Sequence, residues 1–363
     1  MILQGKLQIN VVTIIGNRPV AGARVRVYVS GNPDNVLYEL VTNESGLTDE
    51  IELETPDIAY SISPSEPQPY GEYTVDVRAE GYEDAEVSST EVLPDTTAIL
   101  EVRMTPLAES QQFTRIVIPP HTLFGNYPPK IAEPEITQSA ESGEIVLNRV
   151  VIPEYIIVHD GVPNDDTAQN YWVRYRDYIK NVVSSEIFPT WPESTIYANT
   201  LVIMSFTLNR VYTEWYRNRG YNFTITSSTA YDQKFIYGRN IYANIDRIVD
   251  SIFNNYLSRP GVKQPIFTSY CDGKRTTCRG LSQWGSMYLG EEGYSAIDII
   301  RYYYGNDMYI NSADQIEGVP ASWPGYDLTI GSRGSKVLQL QQQLNRIKRN
   351  YPALPGVTED GIY

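Results

Sequence analysis

Glu186 closes an otherwise apolar helical face. From Asn170 the chain reads NYWVRYRDYIKNVVSSE, and Tyr175, Tyr178, Ile179, Val182 and Val183 recur at i, i+3, i+4 spacing. Glu186 falls next on that face, where an apolar side chain is expected. Pro189 then bars continuation, because the residue before a proline avoids the α region. The pattern predicts a helix ending at a half-buried carboxyl group beside the negative end of the helix dipole. Both influences raise a carboxyl pKa. A carboxylic acid kept protonated near neutrality is what a general acid for glycosidic cleavage requires. The competing reading is a glutamate that reaches solvent or pairs with an arginine.

Other residues with chemistry are sparse. The two histidines, His121 and His159, fall one in each copy of a short internal repeat, IVIPPHTLFGNYPP from Ile116 and VVIPEYIIVHDGVP from Val150. A Ser/His/Asp or Cys/His nucleophile is therefore poorly supported, as is a zinc amidase, whose sites usually take two or three histidines. Cys271 and Cys278 bracket a DGKRTT loop, a spacing open to a small disulfide, a zinc half-site or two free thiols. No metal and no cofactor are expected.

Downstream of the glutamate, a helix is predicted from Pro192 to about Arg217, with Gly220 as its stop signal. It carries ANTLVIMSFTL and is followed by DQKFIYG from Asp232, GLSQWGS from Gly280 and GYSAIDIIRYYYG from Gly293. In this order the blocks resemble the stage II sporulation protein D (SpoIID/LytB) family of peptidoglycan-cleaving domains, over roughly residues 150 to 310. GLSQWGS and YYYG are the most specific parts. Asn199 stands where that family has a glutamine, Met204 where it has an arginine, and Thr268 near the place of a histidine, which undercuts the metal site of some relatives.

The resemblance implies a spore cortex-lytic enzyme that cleaves between N-acetylmuramic acid and N-acetylglucosamine in cortex peptidoglycan. A lytic transglycosylase route needs a single carboxyl group, Glu186, whereas a hydrolase normally needs a second at defined separation. Glu193 and Asp232 are the candidates for one near the motif blocks. Gln233, Ser282, Gln283 and Tyr303 are the candidates for holding the glycan through neutral hydrogen-bonding groups. The glutamines are equally suited to satisfying buried backbone, and Trp284 to core packing. An N-acetylmuramoyl-L-alanine amidase and a non-catalytic wall-binding protein are the rival readings.

The elements around this region suggest a multidomain α+β chain. Of its 363 residues, 29 are tyrosine, whose apolar face and polar tip suit sugar rings, strands and interfaces alike. A net charge of −15 argues against nucleic acid and against an anionic membrane surface. No run is long enough to span a bilayer, and MILQGKLQINVV shows no secretory signal. The resemblance implies a protein made in the mother cell and retained in the cortex and coat region of a spore, with which the lack of a visible signal is compatible.

Residues 1–106 alternate apolar and polar residues, as in ARVRVYV and YTVDVRA, between turn signals. They predict an antiparallel β-sandwich of about seven strands, resembling carboxypeptidase-regulatory or transthyretin-like modules. Residues 107–149 form a connector whose stretch from Ala132 to Glu144 lacks periodicity. A foldable N-terminal domain on a cleavable tether suggests a zymogen, with Arg149–Val150 the best candidate for the cut and a subtilisin-like germination protease as the implied activator. The first repeat copy is expected to dock beside the second and cover part of the catalytic segment, residues 150–315. After a linker, residues 326–363 resemble the start of a helical peptidoglycan-binding module that lacks its third helix.

Overall fold

A computed structural model describes residues 3–107, 113–125, 127–131, 133, 135, 147, 149–315, 328–334, individual positions between 337 and 348, and 355–363. The chain is a mixed α+β protein with several sheets. Its N-terminal part runs β1 (Leu3–Thr13), β2 (Arg24–Val29), β3 (Val36–Val41), β4 (Ile51–Thr55), a short α1 (Ala59–Ile62), β5 (Gly71–Arg78), β6 (Ala85–Val92), β7 (Thr97–Met104) and β8 (Thr114–Val117). Strand alternation is legible in the burial: Leu7, Ile9 and Val11 of β1 point inward with Val25, Val27, Val75, Val77, Leu100 and Val102. The strands form two sheets, one ordered β3-β2-β5-β6-β8 and one containing β7-β1-β4. An all-antiparallel sandwich is corrected on one point. β1 runs parallel to β7, and β6 parallel to β8. Those pairs join strands distant in sequence, so no hairpin turn imposes the antiparallel sense.

The second part contains β9 (Val151–Ile152), β10 (Tyr155–His159), β11 (Asn170–Arg174), α2 (Tyr175–Glu186), α3 (Glu193–Tyr212), β12 (Ile225–Thr226), β13 (Ile241–Tyr242) and α4 (Ala243–Ile252). It continues through β14 (Asn255–Ser258), β15 (Tyr270–Cys271), β16 (Leu281–Ser282), α5 (Gln283–Glu291), α6 (Ala296–Tyr304), β17 (Tyr309–Ser312) and β18 (Asp314–Gln315). The helical face read from the sequence begins at Tyr175. The residues just before it form β11, paired antiparallel with β10, because Tyr171 to Val173 alternate as a strand does.

α3 is buried on nearly every side and is the central element of this part. Its buried polar side chains are satisfied in place, with the Thr200, Ser205 and Thr207 hydroxyls donating to the carbonyl four residues back and Arg210 paired with Asp232, so the helix can be enclosed without an exposed polar face. It ends at Tyr212, five residues before the sequence signals suggested, and a 3₁₀ turn over Arg217–Arg219 leads into Gly220 at φ 85°. β13 joins the N-terminal sheet by pairing with β7, so the two parts share hydrogen bonds as well as one apolar core.

The first repeat copy does not pair with the second. Its strand β8 adds to β6, whereas β9 of the second copy pairs with β18. His121 and Thr122 of that copy lie across the end of α2: His121 stacks on Phe188 at 4.3 Å and Thr122 N–H donates to the Ser185 carbonyl at 3.3 Å. Most of the aperiodic tether from Ala132 to Glu144 lies outside the described residues, as does the linker from Gly318 to Asp327. In the C-terminal segment, Gln341 bonds to Asp360, Ile362 and Gly361, and Arg333 N–H donates to the Ser45 hydroxyl of the N-terminal part.

Candidate active site

Glu186 is the last residue of α2, and it is wholly buried rather than half-buried. The helix stops there because Ile187 turns to extended geometry ahead of Pro189. One carboxyl oxygen accepts from the Lys234 backbone N–H at 2.7 Å, and the other receives a long contact of 3.4 Å from Gln283 Nε2. Burial pushes this carboxyl above the usual glutamate range. The Lys130 ammonium, the Lys234 N–H and neighbouring polar groups pull it back only in part. The Tyr270 hydroxyl is buried near enough to sense the Glu186 charge, yet no hydrogen bond of ordinary geometry joins them.

The stretch Asp232–Lys234 reaches Glu186 because Asp232 is anchored on all sides. Its carboxylate accepts from Arg210 Nε at 2.7 Å, the Tyr216 hydroxyl at 2.6 Å, and Thr226 through N–H at 2.9 Å and hydroxyl at 2.7 Å. Arg210 uses its remaining nitrogens on Glu133, at 2.7 and 2.8 Å. Both members of the Arg210–Asp232 pair are fully buried, and the surrounding hydrogen bonds are what such a pair needs to offset desolvation.

The glycan-binding candidates separate into distinct roles. Gln233 is spent inside the protein: its oxygen accepts from Tyr178 at 3.1 Å and Thr207 at 2.7 Å, and its nitrogen donates to the Ile203 carbonyl at 3.0 Å. It ties α2 to α3 and satisfies buried backbone. Ser282 caps α5, accepting from Gly285 N–H at 3.0 Å. Tyr303 rests its hydroxyl against Gly285, where an added Cβ would lie 2.2 Å away. Gln283 alone of the four touches Glu186, and its side-chain oxygen is buried without a hydrogen-bond partner. Trp284 packs into the core with Phe188 and Trp191.

Two carboxylates were candidates for a second catalytic group. Glu193 is exposed at the start of α3, 3.9 Å from Arg247. Asp232 is committed to Arg210, Tyr216 and Thr226. Cys271 and Cys278 form a disulfide with Cα atoms 6.0 Å apart. It closes the loop whose Asp272 carboxylate accepts backbone N–H groups of Lys274, Arg275 and Thr276 at 2.9–3.2 Å. β15 and β16 lie side by side here, setting Ser282 opposite Cys271 and aiming Gln283 at Glu186.

His121 and His159 take no part in the site. Burial holds the His121 imidazole well below its ordinary pKa, with Arg239 adding to the effect. His159 hydrogen-bonds Asn170 at 2.8 Å and stacks on Phe223 at 4.4 Å. No group of three or more His, Cys, Asp or Glu side chains suited to a metal ion occurs among the described residues.

Sequence reasoning missed three participants. The Lys234 N–H leaves no side-chain signature. Tyr270 looks like any strand tyrosine. Lys130 sits in the connector, in PPK, where two prolines impose an extended backbone and were the available signal. Its ammonium donates to the Asp232 carbonyl.

No family model matches this chain, and no curated protein does. Among solved structures, it is similar to the Bacillus anthracis TIE protein, 20% identical over 29% of this chain and 17% of that one, with a TM-score of 0.20. It is also similar to the Klebsiella pneumoniae 5-hydroxyisourate hydrolase, 19% identical over 28% of this chain and 92% of that one, TM-score 0.18. An (S)-allantoin synthase aligns at 15% identity over 30% of this chain and 43% of its own, TM-score 0.21. Likeness at this level carries no functional argument. No helix among the described residues is long and apolar enough to cross a membrane.

Proposed function

We propose that this chain is a spore cortex-lytic enzyme similar to the SpoIID/LytB family, and that it acts as a lytic transglycosylase on cortex peptidoglycan. In this reading residues 1–106 are a pro-domain, 107–149 a tether, 150–315 the catalytic domain and 326–363 a partial peptidoglycan-binding module. The observation that carries it is Glu186: a buried carboxyl group with a raised pKa, while Glu193 and Asp232 are exposed elsewhere or fully committed. That is the electrostatic arrangement of a single general acid.

The chemistry follows from one titrating group. Glu186 gives its proton to the glycosidic oxygen as the bond to muramyl C1 breaks, leaving an oxocarbenium-like ring. The C6 hydroxyl of the same sugar then attacks C1, and the Glu186 carboxylate takes the hydroxyl proton. The products are a free N-acetylglucosamine hydroxyl end and a 1,6-anhydromuramyl end, with no water consumed and the enzyme returned to its acid form. The Lys234 N–H and Gln283 orient the carboxyl, and the free oxygen of Gln283 is a ready acceptor for a sugar hydroxyl or acetamido N–H.

The enzyme would be stored outside the forespore membrane as a zymogen. In the full chain, His121 and Thr122 lie over the end of α2, Lys130 lies against the Asp232 carbonyl, and Glu186 has no exposure to solvent. Arg149 is exposed and Val150 buried, so a protease reaches the Arg149 side of the bond more readily than the residue after it. A subtilisin-like germination protease is the proposed activator. The deciding experiment digests cortex with cut protein and reads the products by mass spectrometry, alongside Glu186→Gln. Anhydromuramyl ends that vanish in Glu186→Gln are expected. Reducing muramyl ends would identify a muramidase, released peptides an amidase, and intact cortex a wall-binding protein.

A further inference from the structure

The proposed chemistry leaves Lys130 without a role, yet its ammonium is placed with care. Pro128 and Pro129 fix an extended approach. The backbone is pinned on either side, where the Thr276 hydroxyl donates to the Tyr127 carbonyl at 3.0 Å and Ile131 N–H to the Ala230 carbonyl at 2.8 Å. Between those pins the side chain turns inward. Its ammonium lies 4.3 Å from the ring centre of Tyr270 and 4.8 Å from that of Phe206, and it donates to the Asp232 carbonyl. Burial and the Arg210 guanidinium lower the Lys130 ammonium pKa to about 8, while the aromatic faces, the carbonyl oxygen and the Asp232 carboxylate present the negative potential that favours a cation in this slot. Two residues along the same backbone, Lys234 N–H holds Glu186 at 2.7 Å. The carbonyl that lines the slot and the N–H that holds the acid therefore lie on one short stretch, Asp232 to Lys234.

We propose that this slot is an organic-cation subsite, and that Lys130 occupies it in place of the sugar ring that gains positive charge as the glycosidic bond breaks. Phe206, Tyr270 and the Asp232 carbonyl then stabilise the oxocarbenium-like ring, and the connector works as a built-in pseudo-substrate. The assignment to a sugar rests on the transglycosylase reading; the cation site does not. Electrostatic stabilisation of a developing charge by preset dipoles is a large contributor to catalysis, which gives these groups a function beyond packing.

The test has two arms, both on the full chain. In the first, Lys130→Ala vacates the slot, and melting is followed with n-butylammonium or with neutral 1-butanol. Butylammonium is expected to bind at least tenfold more tightly than butanol, and neither should affect the parent chain. Lys130→Met, which keeps the packed stem, should melt close to the parent and show no ammonium response. If Lys130→Ala does not fold unaided, recovery by butylammonium and not by butanol gives the same answer. Equal responses, or none, would overturn the cation site. In the second arm, the full chain is cut within residues 132–149 and its cortex cleavage is challenged with a protonated 2-acetamido iminosugar or with neutral N-acetylglucosamine. At least tenfold stronger inhibition by the iminosugar is expected. No preference would remove the sugar assignment while leaving the cation site standing. Absence of any cleavage would remove that assignment together with the transglycosylase reading, again without touching the first arm.

Discussion

At Glu186 burial favours the neutral acid while a backbone N–H and a nearby ammonium favour the carboxylate, and burial wins. A general acid must be protonated when substrate is bound, so cleavage by the cut enzyme should fall as pH rises through a value above glutamate's ordinary 4.5. A pH–rate profile with no alkaline limb attributable to Glu186→Gln-sensitive activity would argue against the assignment. Glu186→Gln itself preserves shape and the bond from Lys234 while removing the proton. It should lower cleavage by about 10²–10⁴-fold at nearly unchanged melting temperature. Asp232 has the opposite character. Its pair with Arg210 is fully enclosed, so Asp232→Ala strands a buried guanidinium and should cost about 3–5 kcal/mol in denaturant unfolding. A small change there would mean that Glu133 alone suffices to hold Arg210.

The elements that matter for the site are α2, α3 and the disulfide loop. α2 is fixed to α4 by Lys180, buried between Asp246 at 2.6 Å and Asp250 at 2.9 Å, and to α3 through Gln233. These ties keep the helix end, and with it Glu186, in register. Converting both Cys271 and Cys278 to Ser should lower stability by about 2 kcal/mol, as expected for a short closed loop, and leave cleavage measurable because neither sulfur touches Glu186. Loss of activity with retained stability would instead give the loop a direct part in the chemistry. Gly273 shows how tight this loop is. It sits at φ 76°, and an added Cβ would meet the Ser282 hydroxyl at 1.8 Å. Gly273→Ala should therefore dislodge the α5 cap and with it Gln283, reducing cleavage more than the double cysteine change does.

Across the whole molecule, the N-terminal and helical parts are joined by a buried polar seam. Glu91 pairs with Arg239 at 2.9 Å, and Asn240 exchanges hydrogen bonds with the Glu91 backbone at 2.9 and 3.1 Å. Burial raises the Glu91 carboxyl to about 7, against the pull of Arg239. An acid whose folded pKa lies above its unfolded value contributes stability that is present below about 4.5 and is lost as pH rises to about 7. Melting temperature should therefore decline across that window, and Glu91→Gln should flatten the decline. An unchanged slope in the variant would place the linkage elsewhere. The same seam bears on activation. With β13 paired to β7 and a common core, cutting at Arg149 need not release the N-terminal part at once. Cortex lysis by cut protein should exceed that by intact protein, and equal rates would reduce the N-terminal half to an anchor.

The period-two strands of residues 3–104, the end of α2 at Glu186 and the burial of Trp284 were legible from the sequence, because each depends on local pattern: side-chain alternation, helical spacing and a following proline. The parallel pairing of β1 with β7 was not, since nothing local encodes which distant strand becomes a neighbour. Sequence likewise set Gln233 and Gln283 in equivalent motif blocks, and only packing separated them. One is consumed between α2 and α3, and the other keeps a free oxygen beside the acid. Lys130 lies in the connector, 56 residues before Glu186 and just after the first repeat copy, and its meeting with Tyr270, Phe206 and the Asp232 carbonyl is purely a product of the fold. Residue type and local spacing determined that an acid was available. Burial and the partners brought to it across the chain decided its protonation, its neighbours and what covers it, because desolvation and electrostatics depend on distances that only the folded chain possesses.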